Sequence, residues 1–201
     1  MLVNKRYKFL FVHIQKTAGS SICDHLQQFR GTKYLGRQHS FLSQYKIPSG
    51  YYKFTFVRNP WERLVSWYNM MTYRKSHNDF SEYLLTNSSN FSEFLDCTDI
   101  IVETKDTFKK YKVDYVKSIA FNQLDYITNR DGNIGVDFIG RFESLQDDYN
   151  KMMKAIGLPE RTLKHINKYE RDDYRKYYTD GDIEKVFQLY KRDIEYFKFT
   201  F

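Results

Sequence analysis

A lysine and three hydroxyls crowd one short stretch of this chain, Lys16, Thr17, Ser20 and Ser21, with only Ala18 and Gly19 between them. That grouping suits an anion. The ammonium brings a full charge, each hydroxyl can donate a hydrogen bond, and small residues let backbone N–H groups close on a phosphate. A second anion-binding candidate follows at Arg58, with Ser66 about two helical turns further on. Arginine offers a planar fork to phosphate oxygens and serine a hydroxyl donor. Both reach one phosphate only where a strand end and a helix face converge on it; otherwise Arg58 pairs with a carboxylate such as Glu62 and Ser66 only packs. Two separated anion sites narrow the ligand sharply.

The flanking residues supply the elements to position these groups. Residues 9–14 are an apolar run that reads as a buried strand, and Ile22, Leu26 and Phe29 fall on one face of a helix over 20–29. The result is a strand–loop–helix cradle in which loop N–H groups and the positive helix end point at the anion. Residues 52–57 read as a second strand with Arg58 at its carboxyl end, where α/β sheets bind ligands. Asn59 is placed to cap the next helix and Pro60 to open it. Residues 31–50 are loop-rich, 76–118 form short helical pieces, and 129–133 form a turn. Residues 136–142 are a third strand. A helix over 144–156 closes with Gly157 as C-cap and Pro159 beyond it. A last helix over 180–196 carries Ile183, Val186, Phe187, Tyr190, Ile194 and Phe197 on one face. Strands alternating with helices predict an α/β fold, a P-loop-like parallel sheet flanked by helices on both faces, in one domain spanning 1–201.

Composition sets limits. With 18 Tyr and 17 Phe among 201 residues, the chain builds a substantial core and is not disordered. A net charge of +7 suits an anionic ligand or acceptor, or else a solvated basic face. Cys23 and Cys97 form no framework and lack metal-ligand spacing; a reducing compartment fits, and Cys23 falls near the polar edge of the first helix. No apolar run approaches the ~20 residues of a membrane span, and no signal-peptide core precedes the first strand, so the reading is a soluble, cytoplasmic chain. No metal-ligand pattern appears, and no nucleic-acid motif. The Lys16 loop is not a Walker A sequence. Asp137 precedes its apolar strand instead of ending it, which argues against a Walker B carboxylate and magnesium-dependent kinase chemistry.

Together the two anion motifs resemble the sulfotransferases that use 3′-phosphoadenosine 5′-phosphosulfate (PAPS). Residues 13–21, HIQKTAGSS, resemble that family's 5′-phosphosulfate loop. Residues 54–68, with FVRNP at the strand end and RLVS on the helix, resemble its 3′-phosphate motif. Segments 121–126, 138–143, 165–168 and 193–197 follow in the family's order. The similarity is greatest to carbohydrate sulfotransferases, in the branch of the heparan sulfate 2-O- and 6-O-enzymes and their bacterial relatives. The resemblance implies the sulfotransferase fold. It implies PAPS as co-substrate, the bisphosphate PAP as product, and no metal. It assigns Lys16, Thr17, Ala18, Gly19, Ser20 and Ser21 to the 5′-phosphosulfate and Arg58 and Ser66 to the 3′-phosphate. Asn167 and Lys168 fall where the family closes over the nucleotide.

The implied reaction is in-line transfer of a sulfuryl group to an acceptor hydroxyl, which requires positioning, charge stabilisation and a base. Lys16 neutralises charge on the leaving phosphate oxygen. The family's catalytic histidine, where present, falls in the interval that holds His39, although the residues flanking His39 match no family pattern; Glu62 and Asp79 are the carboxylate alternatives. His13 reads as buried in the first strand, His25 as exposed on the first helix, His77 as lying in a polar segment with no supporting motif, His165 as lying in the late basic loop near the nucleotide, and Arg63 as structural. The acceptor is a glycan or small molecule with a hydroxyl. Basic, aromatic residues in 105–117 and 164–178 either line its groove or form an ordinary surface. Without a membrane anchor, the chain differs from the family's Golgi members and suits a cytoplasmic glycan precursor, lipid-linked sugar or small molecule. The alternatives are a P-loop nucleotide kinase, a basic nucleic-acid-binding module, and a relative that binds PAP without catalysis.

Overall fold

Five strands make one sheet: β1 (Leu2–Asn4), β2 (Phe9–Val12), β3 (Thr32–Tyr34), β4 (Tyr52–Val57) and β5 (Phe138–Arg141), in the order β3-β1-β2-β4-β5. The computed structural model describes residues 1–74, 79–103, 119, 121–164, 166 and 172–201. β2, β4 and β5 run parallel, with Phe11 opposite Phe54 and Val57 opposite Arg141. β2 is buried along its whole length, as a strand covered on both faces must be. β1 and β3 extend the sheet antiparallel at one edge, which makes it mixed around the expected parallel core. The β1–β2 turn is held by Asn4, whose side-chain oxygen accepts the N–H groups of Arg6 and Tyr7 at 2.9 and 3.0 Å.

Two helices cover one face, α1 (Gly19–Leu26) and, later in the chain, a helix over Leu145–Ala155. Phe9, Phe11, Phe54 and Phe56 meet Ile22, Cys23 and Leu26 on the first and Tyr149, Met152 and Met153 on the second. The alternate residues Leu10, Val12, Thr55 and Val57 face the opposite way and are equally buried. Gly140 in β5 lies under the Phe56 ring, which a Cβ would strike. Strand ends and helix starts fall within a residue or two of expectation. One shift matters: β2 ends at Val12, so His13 is a loop residue, though a buried one.

The chain divides into two compact units, Met1–Arg58 with Gln123–Tyr169, and Asn59–Asn122 with Glu170–Phe201. The first holds the sheet. The second is helical. It contains α2 (Pro60–Arg74), α3 (Asp79–Asn87), α4 (Phe91–Glu103), a 3-10 turn at Tyr174–Tyr177, and two closing helices. Asn59 caps α2 as expected, its Oδ1 accepting the Trp61 N–H at 3.1 Å. In the sheet unit, Gln123–Ile127 forms the short α5, and the helix over Leu145–Ala155 is α6. α6 ends in the expected glycine cap: Gly157 has φ 69°, and Leu158 N–H reaches the Met153 carbonyl at 2.9 Å.

The closing segment departs from the single helix that its apolar spacing predicts. It is two helices, α7 (Asp180–Leu189) and α8 (Lys191–Phe197), broken at Tyr190 with φ −117° and ψ 26°. The Tyr190 hydroxyl donates to the Ile119 carbonyl at 2.7 Å, and the first turn of α8 is served by Asn122, whose Oδ1 accepts the Asp193 N–H. Tertiary partners at the break replace what one continuous helix would provide. Among the described residues, no helix is long and apolar enough to cross a membrane.

Candidate active site

The Lys16 loop leaves the carboxyl end of β2 and enters α1 through an unusual backbone. Lys16 and Ala18 both adopt left-handed conformations, with φ 67° and 65°. A non-glycine residue held there costs on the order of 1–3 kcal/mol, a cost met mainly at ligand clamps and active sites. Left-handed Ala18 followed by helical Gly19 gives successive residues of opposite hand, the backbone form that turns neighbouring N–H groups to one side and makes an anion nest. Ala18 stands at the N-cap without any side-chain cap, and the first turn of α1 carries no acidic residue. The positive end of the helix is therefore not neutralised by its own side chains. Thr17 is buried and commits its hydroxyl proton to the Ile14 carbonyl at 2.9 Å. Ser20 is exposed, and Ser21 accepts the Ile166 N–H at 3.2 Å.

Arg58 joins this loop. It is 3% exposed, lies one residue past β4, and donates from Nη1 to the Lys16 carbonyl at 3.1 Å. Its guanidinium carbon sits 3.7 Å from the centre of the Phe142 ring, a close cation–π contact. The main chain of Arg58 is held by Gln123, whose Oε1 accepts the N–H and whose Nε2 donates to the carbonyl, both at 2.9 Å. The sequence reads Gln123 and Phe142 only as parts of the 121–126 and 138–143 segments; uncharged, neither carries a chemical signal of its own.

A histidine pair lies beside the loop. His13 is buried, stacked on Phe11, and so close to Gly19 that a Cβ there would overlap its ring. Its Nδ1 accepts from Gln38 Nε2 at 3.1 Å, which puts the ring proton on Nε2. Burial, with the neighbouring His39 adding to it, holds the His13 pKa well below 6.5. Cys23 Sγ lies 3.5 Å from the same Nδ1, and burial pushes its thiol up to about 12, so it stays protonated. His39 is half-buried and donates from Nδ1 to the His13 carbonyl at 3.1 Å. In the neutral ring that bond makes Nε2 the basic nitrogen, the form a proton acceptor requires.

The model of the sulfotransferase family matches residues 1–200. The chain belongs to the sulfotransferase family. A curated but uncharacterized protein of Archaeoglobus fulgidus is 33% identical to it over 132 residues, covering 65% of this chain and 88% of that protein. Sulfotransferases carry the sulfuryl group of PAPS to an acceptor hydroxyl, and the donor set at the carboxyl edge of this sheet has chemistry suited to such a polyanion: a lysine, a buried arginine and an uncapped helix start.

The remaining candidate residues of this sulfotransferase are spread more widely. Ser66 lies half-buried on α2 in the helical unit. Glu62 is in the first turn of α2, and Asp79 opens α3. His77, His165, Asn167, Lys168 and residues 105–117 lie outside the described residues. Asp137 sits at the amino end of β5, opposite the edge that carries Lys16 and Arg58. There it accepts the Lys53 N–H at 2.7 Å and pairs with its ammonium at 3.4 Å, joining β4 to β5. His25 and Cys23, expected toward the solvent side of α1, are both buried. His25 Nδ1 meets the Tyr149 hydroxyl at 2.5 Å, because α6 packs along a wider face of α1 than Ile22 and Leu26 alone define.

Proposed function

We propose that this protein transfers the sulfuryl group of PAPS to a hydroxyl of a carbohydrate acceptor and releases PAP. In this reading it is a small member of the branch that includes the heparan sulfate 2-O- and 6-O-enzymes. The observation that carries the proposal is the bond from Arg58 Nη1 to the Lys16 carbonyl, which joins two anion motifs 42 residues apart. A donor with phosphate on both sides of one ribose calls for two such sites side by side. In our reading the Lys16–Ser21 loop holds the 5′-phosphosulfate, through the N–H groups of Thr17, Ala18 and Gly19, the Ser20 and Ser21 hydroxyls and the Lys16 ammonium. Arg58 holds the 3′-phosphate, and Ser66 keeps its share of that role from the motif alone, as Asn167 and Lys168 keep theirs in closing over the nucleotide.

PAPS supplies a sulfur centre whose bond to the 5′-phosphate breaks as the acceptor oxygen bonds to it. Lys16 and the α1 terminus stabilise the negative charge that collects on the phosphate side. His39 Nε2 takes the acceptor's proton, with Nδ1 anchored on the His13 carbonyl. The ring orientation is fixed because His13 is itself locked by Gln38 and Phe11. We read the chain as one functional domain in a cytoplasmic, soluble enzyme; its two units alternate along the sequence and neither is a single continuous segment.

The test is PAP release from PAPS in the presence of a panel of glycans and small hydroxyl compounds. The reading predicts acceptor-dependent release by the wild type. Lys16→Ala should lose about 100- to 1,000-fold in rate, the loss typical of one preorganised charge-stabilising donor. A Lys16→Ala protein that turns over at wild-type rate would falsify the role given to the loop.

A further inference from the structure

The sheet's hydrogen-bond ladder ends just short of Arg58. Val57 is the last residue of β4 paired with β5, and β2 ends opposite Thr55. One residue on, the Arg58 N–H and carbonyl lie in a buried position that the ladder does not serve, and buried main-chain groups need partners. The Gln123 side chain provides both. Its amide carries an acceptor and a donor side by side, as a peptide group does, and takes the Arg58 N–H and carbonyl at 2.9 Å each. Gln123 is fully buried and opens α5, whose Leu124, Tyr126 and Ile127 are buried too, so the clamp stands on an anchored element.

Those two bonds fix the peptide planes on both sides of Arg58, and with them the direction of its Cα–Cβ bond. The guanidinium then lies on Phe142 and reaches the Lys16 carbonyl. A long, flexible side chain held at both its root and its tip has few other places to go. We propose that Gln123 is a positioning residue for the donor site: by clamping the main chain of Arg58 it sets the preference for a nucleotide bearing a 3′-phosphate. This rests on the reading of Arg58 as the 3′-phosphate ligand. Gln123 acts through Arg58 and touches no nucleotide.

The experiment measures dissociation constants for PAP and for 5′-AMP, which lacks the 3′-phosphate, by titration calorimetry. The quantity read is the ratio of the 5′-AMP constant to the PAP constant. Gln123→Met keeps the volume and removes both bonds. It should weaken PAP by about tenfold while 5′-AMP changes less than about twofold, so that the ratio drops toward that of Arg58→Ala. Gln123→Asn keeps the amide one methylene short and serves where the methionine variant folds poorly; its ratio should fall between those of wild type and Arg58→Ala. A merely structural glutamine would lower the melting temperature and weaken both nucleotides alike, and a wild-type ratio in both Gln123 variants overturns the inference. Arg58→Ala separates the two levels. If it lowers the ratio while the Gln123 variants do not, the positioning role alone fails; if it leaves the ratio unchanged, the reading of Arg58 fails and the inference with it.

Discussion

Lys16 holds a left-handed conformation that its own side chain disfavours, and its carbonyl accepts from Arg58. Residue chemistry and backbone strain thus meet at one position, the mark of a ligand clamp. The charged residues proposed for the site are legible in sequence because lysine and arginine at these spacings suit an anion. Gln38 and Gln123 are not, since an amide, half-buried at Gln38 and fully buried at Gln123, carries no charge to name a ligand. His39 as base has a kinetic consequence. The wild-type rate should fall toward acid pH as the base protonates, and His39→Ala should lose about 100- to 10,000-fold in kcat together with that acid limb. A His39→Ala enzyme that keeps the same acid limb places the base elsewhere, with Glu62 and Asp79 next in line. The other buried histidines bear on stability. Burial holds both His13 and His25 below 6.5 in the folded chain, with Arg161 adding to the effect at His25. Above 6.5 both are neutral folded and unfolded, and their contribution is complete. As pH falls below 6.5 the unfolded chain takes up protons that the folded one does not. Stability should therefore drop between pH 7 and pH 5, approaching about 1.4 kcal/mol per pH unit for His13 and less for His25, whose pKa is lowered less. Asp148 and Asp182 are raised by burial but lowered more by their hydrogen bonds, and end below 3.8; what they contribute is lost only at more acid pH. Urea unfolding at pH 7, 6 and 5 checks this, and an unchanged free energy across the series would contradict it.

At the scale of elements, long apolar patterns and caps are readable and short pairings are not. β4 matches its expected span, and α2 starts where Asn59 and Pro60 place it. β1 and β3 have three residues each and no alternating pattern; they exist because each pairs with a neighbour, β1 along β2 and β3 along β1. The break at Tyr190 is hidden for a related reason. Its apolar spacing continues across both helices, while the partners that break them, Ile119 and Asn122, lie far away in sequence. The α7 start is a local device that can be tested by itself. Thr179 Oγ1 accepts the Asp182 N–H at 3.3 Å, and the Asp182 carboxylate accepts the Thr179 N–H at 3.0 Å, closing a capping box. Thr179→Ala should destabilise the protein by about 1 kcal/mol in urea unfolding and leave PAP affinity unchanged. A loss of PAP affinity with unchanged stability would show that this cap serves the site and not the helix.

Over the whole molecule, the parallel strands bring their carboxyl ends to one edge, and both anion motifs leave from that edge. The parallel core is legible because strands and helices alternate along the chain. The net charge of +7 agrees with a polyanionic donor but does not choose one. The proposal rests on two phosphate sites side by side at the Lys16 loop and Arg58, and thermal stability measured with PAP, with 5′-ADP, and with ATP and magnesium tests it most directly. A ligand at about a hundredfold over its dissociation constant adds about 2.7 kcal/mol, a rise of roughly 5–10 °C for a chain of this size. The account predicts that rise with PAP and a much smaller one with 5′-ADP or with ATP and magnesium. A rise with ATP and magnesium alone would identify a phosphotransferase site instead, and no rise with any of the three would contradict the assignment of a nucleotide site to the Lys16 loop and Arg58.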